Sequence, residues 1–156
     1  MIDAVSEDSS APLDLKRSRR RKPAVSVDPV RLDRLPPHST EAEQGVLGCI
    51  LWSPNDTFAE CINKFKGDED IFYDLRHQTI YDTLQEMYDK REAIDLITLQ
   101  QCLKDKQMLD QVGGLAYLSS LQDTVPSAAN LSYYLEIVHE KSTLRKMIRT
   151  CSGIVS

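Results

Sequence analysis

The densest run of residues able to do chemistry is Lys16-Arg17-Ser18-Arg19-Arg20-Arg21-Lys22, six cations in seven positions. Such a cluster binds phosphates by releasing their counterions, which makes Lys16, Arg17, Arg19, Arg20, Arg21 and Lys22 candidate contacts to DNA, without sequence preference and with steep salt dependence. The rival reading is a solvated tail that only aids solubility. Carboxylates come in two close pairs, Glu41 with Glu43 and Asp68 with Asp70. The first pair falls in the opening turn of a predicted helix, where the helix dipole favours it, and the second in a polar break, so neither reads as an acid–base pair. Thr40 and Glu43 also have capping-box spacing, which would turn the Glu43 carboxylate back onto the helix start. His77 has no second His or carboxylate at metal-ligand spacing on an i, i+4 face and is expected to be a packed or surface residue. Cys49, Cys61, Cys102 and Cys151 form no C-x-x-C pair, and each has apolar or helical neighbours; buried free thiols are expected. No G-x-x-x-x-G-K-[ST], H-E-x-x-H or G-x-S-x-G occurs in the sequence. The expectation is therefore no catalytic residue, no cofactor-binding residue and no metal ligand in this chain.

The elements that hold these residues are helical. Pro36 and Pro37 stop the chain before His38, and Ser39 and Thr40 offer hydroxyls to a new first turn. Ala42, Val46, Leu47, Ile50 and Leu51 then form one apolar stripe, with Gly45 and Gly48 leaving room for a neighbouring helix. Trp52-Ser53-Pro54-Asn55 predicts a turn, and Phe58, Cys61, Ile62 and Phe65 predict a second helix over 56–65. Ile80, Leu84, Met87 and Tyr88 predict a third over 75–90. Asp95 is placed to cap a fourth over 96–106, a glycine pause at Gly113-Gly114 separates it from a short fifth over 115–121, and the longest helix runs from about 129 toward 150. Its second half is crowded by Lys141, Ser142, Arg145, Lys146 and Arg149, which leaves a narrow stripe of Ile137, Leu144, Ile148 and Cys151. A narrow stripe flanked by charge suits a helix that packs on one partner helix, so Ile137, Leu144 and Ile148 are the self-association candidates. Gly153 could mark a genuine helix stop, but a helix cut short is the favoured reading.

The length of 156 residues, 41% of them hydrophobic, suits one ordinary domain. No apolar run of about 18 residues exists, so no membrane helix is expected, and no signal-peptide pattern follows Met1; the expectation is a cytoplasmic protein. The formal charge of −5 is unevenly spread: residues 1–35 hold eight Lys or Arg against six Asp or Glu, and residues 36–156 hold eleven against eighteen. An acidic body repels phosphates, so any direct grip on nucleic acid falls to the basic arm. Residues 1–34, without apolar periodicity, are expected to form a disordered arm.

Pro36-Pro37-His38-Ser39-Thr40-Glu41-Ala42-Glu43-Gln44-Gly45-Val46-Leu47-Gly48 resembles the opening of the N-terminal domain of bacterial replicative DNA helicases, the DnaB family. Two later segments agree in order and spacing: Ile94-Asp95-Leu96-Ile97-Thr98-Leu99, then Val112-Gly113-Gly114-Leu115-Ala116-Tyr117-Leu118 followed by Thr124-Val125-Pro126-Ser127-Ala128-Ala129-Asn130. The resemblance covers about residues 35–150 and does not extend over the basic arm.

It implies an all-α fold of about six helices over 35–156, ending in the first arm of a helical hairpin and truncated before a linker and an ATPase domain. In the family that ATPase domain uses ATP and Mg while a hexamer moves along single-stranded DNA. The N-terminal domain forms dimers within the hexamer and docks primase, with a helicase loader as a further partner. By the same resemblance Glu41 and Tyr117 are candidate primase contacts. The rival readings are first-turn electrostatics for Glu41, worth about 0.3–1 kcal/mol, and a core aromatic with a polar tip for Tyr117. The function implied is assembly and primase docking for a replicative helicase. The alternative is a DNA-binding accessory or loader-like protein that acts through its basic arm.

Overall fold

In the computed structural model, residues 35–155 are described, with side chains as far as Gly153; the expected arm and its basic run, residues 1–34, lie outside them. Six helices follow one another: α1 (Thr40–Trp52), α2 (Pro54–Lys64), α3 (Leu75–Asp89), α4 (Leu96–Asp105), α5 (Gly114–Thr124) and α6 (Leu131–Val155). No strand occurs among the described residues.

The local chemistry of each start is visible. Ser39 caps α1, its Oγ accepting from the Ala42 N–H at 3.2 Å. Pro54 opens α2, two residues earlier than the periodicity suggests, because proline is tolerated in a first turn whose N–H groups have no partner inside the helix. Asp95 caps α4 in a reciprocal box with Thr98, as its placement predicts. The fifth helix is longer than expected at both ends, and α6 passes through Gly153.

Sequence periodicity gives α1 a single stripe, but the folded chain buries nearly its whole circumference. Helices α2, α3, α5 and α6 all pack on it. Its two interior glycines make this possible on two sides. A Cβ added at Gly45 would lie 2.8 Å from the Tyr134 ring of α6, and one at Gly48 would lie 2.5 Å from the Leu121 carbonyl oxygen of α5. Val46, Leu47 and Ile50 are fully buried, each contributing about 1.5–3 kcal/mol of hydrophobic stabilisation. Under α3 the core is aromatic: Phe58 stacks on Tyr81 and Tyr88 at 5.4 and 4.9 Å, and Phe65 meets Phe72 edge-on at 6.1 Å. At the far end, the half-exposed Trp52 donates its indole N–H to the carbonyls of Gln122 and Val125, which ties the end of α1 to the end of α5.

Candidate interaction site

Three helices bring one polar side chain each to a common point. Glu43 of α1 is buried, at 2% exposure, and its carboxylate accepts from the backbone N–H groups of Tyr73 (2.8 Å) and Asp74 (3.2 Å) and lies 2.8 Å from Nδ1 of His77. His77 of α3 has no solvent exposure, and its Nε2 lies 2.5 Å from the hydroxyl of Tyr117 on α5. The Tyr117 hydroxyl also receives a long hydrogen bond from the Gln44 amide, at 3.4 Å. The Arg76 guanidinium covers the outer face of the Tyr117 ring at 4.5 Å from its centre. Arg76 is in turn held by Asp74, the cap of α3, whose carboxyl its guanidinium keeps below the usual carboxylate range.

This corrects one expectation and adds to another. Glu43 does not close a capping box with Thr40; Ser39 takes the cap, and the Glu43 carboxylate turns inward to three donors that the entry of α3 presents. His77 is packed, as one reading held, but its partner is a carboxylate from another helix. Gly113 explains why Tyr117 can reach the pair. It holds φ +106°, a conformation other residues rarely adopt, and a Cβ there would meet the Tyr117 Cβ at 2.7 Å. The glycine pause thus starts α5 tight against the chain that enters it. Glu41 is exposed one helical turn before Gln44, so it shares the side of α1 that faces Tyr117.

Helix α6 carries two faces. Leu131, Leu135, Val138, Ser142 and Arg145 are buried against the body. Tyr133, Ile137, Leu144 and Ile148 recur at i, i+4, i+11 and i+15 on a second face, roughly 130° away at 100° per residue. Ile137 and Leu144 are half-buried, while Tyr133 and Ile148 are exposed and Met147 beside them is exposed as well. The three self-association candidates therefore share one side of the helix.

The inward face of its second half is polar, which the sequence stripe did not anticipate. The Arg145 guanidinium, on a residue 6% exposed, donates to the carbonyls of Pro37 (2.9 Å), Asp70 (3.2 Å) and Ile71 (2.9 Å). Asp68 accepts from the Ser142 hydroxyl at 2.6 Å and pairs with Lys146 at 3.0 Å. Burial alone would raise the Asp68 pKa, but the hydrogen bonds from Ser142 and Lys146 outweigh it and hold the carboxyl below its ordinary value. Asp68, read from the sequence as part of a polar break, anchors α6 through its carboxylate, while the exposed Asp70 contributes its backbone carbonyl.

The thiols divide. Cys49 and Cys61 are buried, and desolvation pushes them up to about 11 and about 12. Cys102 is half-buried and Cys151 exposed, so a helical context did not guarantee burial. Among the described residues no group of His, Cys, Asp and Glu has the geometry to hold a metal ion, and no helix is long and apolar enough to cross a membrane. The groove of about 500 Å³ between α2 and α3 is lined by Phe65, Tyr81, Asp68, Gln78 and Asp82 among others, with no Ser, Cys or His nucleophile in its wall.

Fold and site together define an all-α module with a buried polar cluster at the mouths of three helices and a terminal helix with two faces. Residues 35–140 match the family described as the DnaB-like helicase N terminal domain, and the chain belongs to that family. It is 43% identical over 122 residues to the replicative DNA helicase DnaC of Bacillus subtilis, which covers 78% of this chain and 26% of that protein. Against the replicative DNA helicase DnaB of Haemophilus influenzae it is 42% identical over 134 residues, 86% of this chain and 26% of the relative. The fold matches the crystal structure of the N-terminal domain of DnaB helicase from Mycobacterium tuberculosis with a TM-score of 0.73 and 36% identity, over 78% of this chain and 82% of that one. The chain spans about a quarter of the length of the curated relatives it matches.

Proposed function

We propose that this chain is the assembly and primase-docking domain of a replicative DNA helicase, dimerising through the second face of α6 within a hexamer. ATP and Mg would be used by an ATPase domain outside these residues, and single-stranded DNA would be held by the assembled helicase. A helicase loader is a further partner on this reading. The observation that carries the proposal is the set of apolar side chains that α6 leaves exposed beside its buried face: Tyr133, Met147 and Ile148 are 65, 57 and 52% exposed, and Tyr133 and Ile148 continue the line of the half-buried Ile137 and Leu144. Isolated surface apolar residues need no explanation, but a stripe of them along one helix marks a contact surface.

Light scattering on the 156-residue chain tests it. A dimer is expected for the unaltered chain and a monomer for Leu144→Asp, with helix content retained, because a charge placed against a partner helix is buried unpaired. Ile148→Asp, at an exposed position, separates association from folding and should also give a monomer: a dimer that survives both changes means that this face is not the interface.

The run Lys16–Lys22 lies outside the described residues, and its proposed role is a non-specific contact to DNA. Removal of residues 1–34 should abolish any DNA affinity of this chain, and that affinity should fall steeply with salt. An affinity unchanged by the deletion removes the arm from the account.

A further inference from the structure

Glu43, His77 and Tyr117 form a hydrogen-bonded chain that starts on a buried carboxylate and ends on the hydroxyl of a half-buried tyrosine. Its direction follows from counting donors. The Glu43 oxygens already accept two backbone N–H groups, from Tyr73 and Asp74, so the group 2.8 Å from Nδ1 of His77 is an acceptor and Nδ1 carries a hydrogen. In the neutral ring Nε2 is then bare and accepts the Tyr117 O–H at 2.5 Å. With that neutral tautomer the phenol's hydrogen points to Nε2, Gln44 donates to the phenol oxygen, and one lone pair remains to accept from a further donor. The ring itself is fixed from outside by the Arg76 guanidinium and from the chain side by Gly113.

We propose that Glu43 and His77 are positioning residues for a partner contact made by Tyr117: together they set where the phenol stands and present its oxygen as a hydrogen-bond acceptor. This rests on the reading that Tyr117 touches primase. A buried carboxylate and imidazole are costly to desolvate, and a fully hydrogen-bonded pair of this kind fixes the orientation of a group that an apolar contact would leave free to turn. The partner group that fits is a donor, an N–H or O–H, rather than a carboxylate. A cation is the poorer fit, because the Arg76 guanidinium already covers the ring.

Two measurements on the 156-residue chain test this. The first needs no partner: ¹⁵N shifts of the His77 ring should show Nδ1 protonated and Nε2 bare, and Tyr117→Phe should move the Nε2 resonance while leaving Nδ1 in place. A bare Nδ1, or an Nε2 signal indifferent to Tyr117→Phe, overturns the positioning. The second is the affinity of purified primase, by calorimetry, for Tyr117→Phe, His77→Gln and the double variant. Each single change should weaken binding about five- to ten-fold, the scale of one hydrogen bond. The double should be no weaker than the weaker single, because both break the same chain. Losses that multiply overturn the positioning and make His77 a residue of the fold alone. If the ring shifts behave as expected while Tyr117→Ala binds primase as the unaltered chain does, the docking reading fails at Tyr117 and with it the partner contact proposed here.

Discussion

Replacing Arg145 with Met keeps most of the apolar stem and deletes three hydrogen bonds that hold α6 to the chain entering α1 and α3. The bond to the Ile71 carbonyl is buried, and those to Pro37 and Asp70 are partly exposed. A hydrogen bond from a charged donor is worth about 1.5–3 kcal/mol, and a carbonyl left buried without a partner costs about 1–3 kcal/mol. Water can reach the two outer carbonyls, and removing the buried cation returns part of its desolvation cost. The net loss should therefore be about 3 kcal/mol rather than the sum of three bonds. For a domain of this size that is a fall in Tm of about 10 °C. Thermal and urea unfolding of Arg145→Met followed by circular dichroism measure it. A loss below about 1 kcal/mol would refute the reasoning, since it would mean that the carbonyls find other donors and that Arg145 is a surface residue in energetic terms.

Acid should loosen the same region. Asp68 and Asp74 both have folded-state pKa values below the ordinary carboxylate value, so their stabilisation is present above that value and is lost as pH falls through the lower folded one. Stability should decline as pH drops below about 4, and Asp68→Asn should flatten that decline; an unchanged slope would leave the Asp68 contacts without energetic weight. Gly48→Ala gains roughly 1 kcal/mol of helix propensity, but its Cβ would sit 2.5 Å from a backbone oxygen. The net effect should be a destabilisation of about 1–3 kcal/mol. Gly153→Ala, where a Cβ meets nothing within 4 Å, should gain stability or leave it unchanged, and a similar loss at both sites would refute the close-approach account of α1.

How much of this was legible in the sequence depends on the range over which a residue acts. Asp95 and Thr98 are three residues apart and satisfy each other's groups, so the cap of α4 could be read directly. The same holds for the proline stops, the helical periods and the close approach permitted at Gly45 and Gly48. The ordered motifs from Pro36 to Asn130 also carried the family, because they are strings of side chains and need no coordinates. Local rules failed at Glu43. Capping-box spacing offered it a partner three residues away, while the fold offered three donors on the approach to α3, and three donors win.

The sequence by itself thus determined the helices, most of their ends and the family. Tertiary structure decided which charges would be buried. His77 finds Glu43 across 34 residues and Tyr117 across 40, and Arg145 finds the Pro37 carbonyl across 108. A buried polar group is tolerated only where partners converge on it from separate elements, and that convergence is a property of helix packing. No period or spacing within a single helix encodes it.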